Sequence, residues 1–171
     1  MKELEPYEIE CDSQISVNLG KNYKLEPIVK PHMFTSQEVS YSSSNKQIVK
    51  VDENGNLIPQ SIGTANITIT AKSNSEISKV VTVTVLPKLA EKIEAINEIE
   101  LKIGDTYELE YKVLPAISSQ EIEVFCEDGI SYNNGILTAH AAGTYKVTLK
   151  TKDESNVKKY SLMKRAWQNR K

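Results

Sequence analysis

Four oxygen-bearing side chains fall within five residues at Asp52-Glu53-Asn54-Gly55-Asn56, a density that invites a hard cation such as calcium. An EF-hand-type loop alternates its ligands as D-x-[DN]-x-[DN]-G and closes on a bidentate Glu further along. Here Gly55 arrives too early, and no Glu stands at the closing distance. The same residues read differently as a turn. Asn-Gly between alternating apolar runs is the strongest short hairpin signal, because both residues reach positive φ at little cost. Asn134-Gly135 recurs at the equivalent place while Tyr132 stands over Asp52, so the turn is kept and the candidate ligand is not. No metal is expected at this stretch.

The remaining chemistry-bearing residues are sparse. His32 and His140 are the two histidines, and neither has the paired His or Cys spacing that zinc needs. No nucleophile is nominated beside a histidine and an acid, and no glycine-rich phosphate loop is present. Cys11 and Cys126 fall in different halves of the chain at positions that do not match. They read as small half-buried apolar residues. Asn66-Ile67-Thr68 fits the glycosylation acceptor pattern but lies in a strand. No catalytic residue, cofactor or metal site is expected.

The elements that carry these residues form an internal repeat. Ile9 to Pro31 aligns without a gap on Ile93 to Pro115, each position shifted by 84, with Ile9, Gly20, Tyr23, Leu25, Val29 and Pro31 recurring as Ile93, Gly104, Tyr107, Leu109, Val113 and Pro115. The later half, Asn54 to Thr70, lies over Asn134 to Lys150 at a shift of 80. The net loss of four residues between the anchors belongs in loops, which tolerate such changes. Apolar residues alternate in Ile15-Val17-Leu19, Ile67-Ile69-Ala71, Val81-Val83-Val85, Ile99-Leu101-Ile103, Tyr107-Leu109-Tyr111-Val113 and Tyr145-Val147-Leu149. A period of two marks half-buried strands, and Gly- and Asn-rich turns punctuate it. The expected fold class is all-β, two tandem β-sandwich domains over 1–88 and 89–171. Between them, Leu86 to Lys92 is short and carries Pro87 but no Gly or Ser, which predicts limited freedom between the domains.

Among 171 residues, 21 basic and 23 acidic side chains give a formal net charge of −2. That balance offers no global field to draw the chain onto nucleic acid or an anionic bilayer. The start, MKELEPYEIECDS, has charges where a secretory h-region would sit, and no apolar run approaches the roughly 18 residues of a membrane span. Neither nucleic-acid binding nor membrane insertion is expected.

The first repeat is similar to the group 2 bacterial immunoglobulin-like (Big) domain. The likeness rests on Gly20 followed by Tyr23, Leu25 and Pro31, then Val39-Ser40-Tyr41-Ser42-Ser43-Ser44-Asn45, the run Ile48 to Leu57, and Gly63 to Ile69, closing at Thr82-Val83-Thr84-Val85. The second copy, about Glu91 to Met163, departs from the pattern. Val124-Phe125-Cys126 replaces the Tyr-Ser-Ser run, and the closing valine strand has become Val157 to Met163. The resemblance implies immunoglobulin-like sandwiches, a non-enzymatic role, and a place on phage virion proteins or bacterial surface proteins.

Past that point, Met163 to Lys171 (MKRAWQNRK) holds four basic residues, no acid and the single Trp. Arg165, Trp167 and Arg170 are expected to contact another subunit, being residue types that anchor interfaces. A start at Met1, the lack of an export signal and this basic end favour a phage virion component, a head or tail decoration or joining protein located in the virion. The alternative is a stalk or adhesive fragment of a secreted bacterial surface protein. Expected partners are other protein subunits of a virion or surface assembly, with host surface glycans or proteins as a further class.

Overall fold

The structure is a computed structural model that describes residues 4–33 and 35–164. Every regular element in it is a β-strand, and the chain divides into two compact units, one up to Pro87 and one from Lys88 onward. In the first unit the strands are β1 Glu8–Glu10, β2 Gln14–Asn18, β3 Tyr23–Lys24, β4 Ile28–Lys30, β5 Val39–Ser43, β6 Val49–Val51, β7 Asn56–Pro59, β8 Gly63–Ala71 and β9 Ser78–Leu86. The second unit repeats the order as β10 Lys92–Ala95, β11 Glu98–Glu100, β12 Thr106–Glu108, β13 Tyr111–Leu114, β14 Ile122–Cys126, β15 Ile130–Asn133, β16 Ile136–Ala139, β17 Thr144–Thr151 and β18 Lys158–Lys164.

Each unit is an immunoglobulin-like sandwich. In the first, a four-stranded sheet ordered β2-β9-β8-β5 faces a layer made of the β1-β4 pair and the sheet β3-β7-β6. The second unit has β11-β18-β17-β14 facing β10-β13 and β12-β16-β15. Neighbours run antiparallel except at one edge of each large sheet, where β2 lies parallel to β9 and β11 to β18. The inward side chains of alternate positions fill the space between the layers. Ile67, Ile69, Val81 and Val83 from one layer meet Ile9, Val29, Val49 and Leu57 from the other, all buried. The second core is built from the matching positions Val147, Leu149, Met163, Ile93, Val113, Ile130 and Leu137. Where Val81 sits in the first core the second has Ser161, a buried hydroxyl that donates to the Ile96 carbonyl.

The strand registers locate the four residues that separate the two shifts. One is lost between Pro31 and Gln37, which correspond to Pro115 and Gln120. Two are lost between β5 and β6, since Ser43 and Val49 match Cys126 and Ile130. The last goes from the hairpin between β6 and β7. There Val51 faces Leu57 in the first unit, whereas Tyr132 faces Leu137 in the second. Tyr132 is thus the counterpart of Val51, and Asn133 that of Asp52.

Two of the alternating runs are broken in the structure. Ile99-Leu101-Ile103 leaves the sheet after Glu100, because Lys102 to Asp105 close a turn in which the Lys102 N–H donates to Asp105 Oδ2 at 2.9 Å. That turn puts Ile103 in solvent. Tyr107 to Val113 is two strands in different sheets, β12 against β16 and β13 against β10. Leu109 donates its N–H to the Gly135 carbonyl before the chain changes sheet, and Tyr111 is carried to the surface.

Candidate functional site

The oxygen-rich stretch at Asp52 is a braced turn. Asp52 Oδ1 accepts from the N–H groups of Asn54 (2.9 Å) and Asn56 (2.8 Å), and Oδ2 accepts from Asn56 Nδ2 (2.7 Å). The Asn56 amide side chain, followed by these N–H donors, holds the carboxyl below its ordinary range. The turn itself differs from the sequence expectation. Asn54 keeps negative φ and only Gly55 reaches the left-handed region, at +81°, which makes a three-residue loop with a glycine bulge. The two-residue form with both φ values positive occurs in the second unit, where Asn134 is at +48° and Gly135 at +88°.

A second brace was not legible from the residues. Gln37 folds back onto β4, accepting from the Val29 N–H at 2.9 Å and donating to the Val29 carbonyl at 2.8 Å. Gln120 does the same to β13, with Val113 N–H at 3.0 Å and Val113 C=O at 3.2 Å. A primary amide side chain thus stands in for a neighbouring strand at one residue of a short edge. The signal that could have found it is a Gln a few residues beyond the repeated proline in both copies. The Asp153 loop is likewise turned inward. Asp153 Oδ2 accepts from the Ala90 N–H at 2.8 Å, and Oδ1 from the Ser155 N–H at 3.1 Å. Burial opposes ionisation of this carboxyl. The Ser155 hydroxyl and the Ala90 N–H outweigh it and hold the group below its ordinary range.

The fold does bring one serine to a histidine. Ser131 Oγ lies 2.6 Å from His140 Nε2 across the β15-β16 hairpin. The pair is exposed, and among the described residues no carboxylate bonds the other ring nitrogen. An activated nucleophile needs that orienting third group, so the contact is a hairpin cross-link. His32 belongs to the first unit and is exposed. Cys11 and Cys126 are free and half-buried. Burial pushes both thiols up, away from the thiolate that reacts. Asn66, in the glycosylation pattern, accepts from the Thr82 hydroxyl on the neighbouring strand at 3.1 Å. Arg165, Trp167 and Arg170, the expected subunit contacts, lie outside the described residues.

What the described surface does offer is an outward sheet face that differs between the units. The outward positions of β8 and β5 in the first are Thr64, Asn66, Thr68, Thr70, Ser40 and Ser42. At the matching places the second has Thr144, Lys146, Thr148, Lys150, Glu123 and Phe125. No helix occurs among the described residues, and none is long and apolar enough to cross a membrane.

Comparison with known proteins accords with this architecture. Residues 9–87 match the family model of the bacterial Ig-like domain (group 2). A kappa-carrageenase of Pseudoalteromonas carrageenovora is 38% identical over 60 residues, covering 35% of this chain and 15% of the enzyme. An uncharacterised protein of Clostridium acetobutylicum is 34% identical over 68 residues, covering 40% of this chain and 17% of that protein. The matched stretch is therefore under a fifth of the length of either relative. Among solved structures, the Escherichia coli adhesin FdeC aligns over 93% of this chain and 63% of its own, with TM-score 0.52 at 11% identity, a likeness of fold. Residues 9–87 of this chain thus belong to the group 2 bacterial Ig-like domains.

Proposed function

We propose that the chain is a non-catalytic structural and interaction module, a tandem pair of Ig-like domains that presents its outer faces within a surface assembly. One observation carries this. The polar side chains of the loops are turned onto the protein's own backbone, Asp52 and Asp153 into turns and Gln37 and Gln120 along strand edges. Rigid sandwiches with braced loops are suited to spacing and presentation.

For the setting, we read the module as a phage virion component, a head or tail decoration or joining protein that contacts other virion subunits. A stalk or adhesive segment of a secreted bacterial surface protein is the second reading, and the adhesin-like fold favours it. The local match to a carrageenase supports a related setting, an appendage beside a polysaccharide-active enzyme.

The native mass of the untagged material from its source, by sedimentation, separates these settings. A megadalton particle is the expected result. Occurrence within one longer secreted chain would replace the virion with the stalk or the enzyme appendage. A free chain of 19.2 kDa, attached to no particle, cell or larger polypeptide, would overturn the proposal.

A further inference from the structure

The outward face of β14, β17 and β18 departs from its counterpart in the first unit by gaining aromatic rings and lysines, with one acid, Glu123, in place of Ser40. Phe125 and Tyr160 are 53% and 54% exposed. They stand in one cross-strand row with Thr148 between them, so the rings are two strand spacings apart, about 10 Å. In the first unit the same row is Ser42, Thr68 and Val80. Around Tyr160 the second unit has Lys158 two residues before it on β18, and Lys146 and Lys150 on β17 to either side of Thr148. Their counterparts are Ser78, Asn66 and Thr70.

These lysines share their cross-strand rows with two acids, Glu123 on β14 and Glu98 on β11. None of the lysines makes an ion pair within 4.0 Å among the described residues, although Glu123 faces Lys150 from β14. Lys146 Nζ lies instead 5.6 Å from the centre of the Tyr160 ring. Lys150 and Lys158 are direct cross-strand partners, and like charges placed opposite one another destabilise a sheet. In the second unit Glu123 on the other side of Lys150 offsets that repulsion, whereas the first has the uncharged Thr70 and Ser78.

We infer that this face binds an anionic polysaccharide, the rings taking the apolar C–H faces of two sugars one disaccharide repeat apart while Lys146, Lys150 and Lys158 meet carboxylate or sulfate groups. The electron-rich ring face attracts the positively polarised C–H edges of a pyranose, and two rings about 10 Å apart suit the length of a disaccharide. A protein partner fits less well. A stable protein interface needs roughly 800 Å² on each side with an apolar centre, and here lysines and a threonine interrupt the few exposed apolar groups. A repeating polymer gains instead from many weak contacts in series. The inference rests on reading the chain as an interaction module, not on its setting, so the native mass and the binding assay can fail independently.

The test is electrophoresis of the full chain in native gels cast with dextran sulfate, alginate or neutral dextran, at about 0.15 M salt, where long-range attraction is screened. Retardation by both anionic polymers and not by dextran is expected. Tyr160→Val, which installs the first unit's residue, and Lys150→Thr are each expected to weaken retention about tenfold, a loss typical of one desolvated cation–ring or charge contact. Unfolding midpoints of both variants, measured alongside, separate lost binding from lost folding, because Lys150 faces Glu123 on one side and Lys158 on the other and its two cross-strand charge effects oppose one another. Absence of retardation overturns the inference. So does retention that Tyr160→Val leaves unchanged, or that polyglutamate matches, since either would mean charge alone or an acidic protein partner.

Discussion

At Gln37 and Gln120 a single amide satisfies both polar groups of one backbone residue, and no apolar substitute can do that. Removing it leaves the N–H and C=O of Val29 or Val113 without these partners at a strand whose side chain is fully buried. Gln120→Ala is expected to cost about 1–3 kcal/mol, the penalty for stranding partly buried polar groups, read as a lower denaturant midpoint of the second unit. A change within error would mean that water replaces the amide freely. Asp52 makes a prediction about acid. Its folded pKa is depressed, so the stability it contributes is present above the ordinary value of 3.8 and is lost as the pH falls through the depressed one. Carboxyl NMR should place its titration midpoint below 3.8, and Asp52→Asn should remove that part of the acid sensitivity. A midpoint at or above the ordinary value would show that the turn bonds do not persist in solution. These residue-level devices were the least visible in the sequence. A Gln in a polar loop carries no periodic signal, and the partner it chooses depends on the chain folding back over several residues. The Ser131 and His140 contact was hidden for the same reason, since it depends on hairpin register.

Strands were far more legible than the bonds that tie them, because burial on one face imposes a period of two whatever the partner. Ile67, Ile69, Val147 and Leu149 are wholly buried, as their alternation predicted. Ile67→Ala, at the centre of β8, is expected to cost about 2–5 kcal/mol; a negligible shift in the unfolding midpoint would contradict its place in the core. The errors came where alternation continues while the backbone leaves a sheet, as at Ile103 and Tyr111. Turns show the same limit. Asn54-Gly55 and Asn134-Gly135 are identical dipeptides, yet a difference of one residue in loop length selects two turn types, a choice that local chemistry does not encode. The neighbours of the two glycines differ as well. A Cβ on Gly55 would lie 2.7 Å from the Tyr41 hydroxyl and 3.2 Å from the Leu25 carbonyl, whereas one on Gly135 meets nothing within 4 Å. Both substitutions strain a positive φ, at about 1–3 kcal/mol. Gly55→Ala should therefore destabilise its unit more than Gly135→Ala destabilises the other, by urea unfolding of each variant. Equal losses would show that Tyr41 moves aside without cost.

For the whole molecule, the repeat in the sequence was the decisive signal. Insertions and deletions fell between strands and left the cross-strand registers intact, so two shifts of 84 and 80 still described one architecture. The divergence of the second copy was legible too, but its meaning was not: Phe125 looked like a lapse in a motif until the sheet aligned it with Tyr160. Each unit closes its own core, the first from Ile9, Val29, Ile67 and Val83 and the second from Ile93, Val113, Val147 and Met163. Contacts that are local to one core confine the effect of a cavity, since mutations without shared partners add independently. Amide hydrogen exchange of the full chain carrying Ile67→Ala should therefore speed at Val81 and Val83 in β9 and stay unchanged at Val147 and Leu149 in β17. Faster exchange in β17 would mean that the second sandwich depends on the first for its stability, and the pair would then have to be treated as one cooperative folding unit.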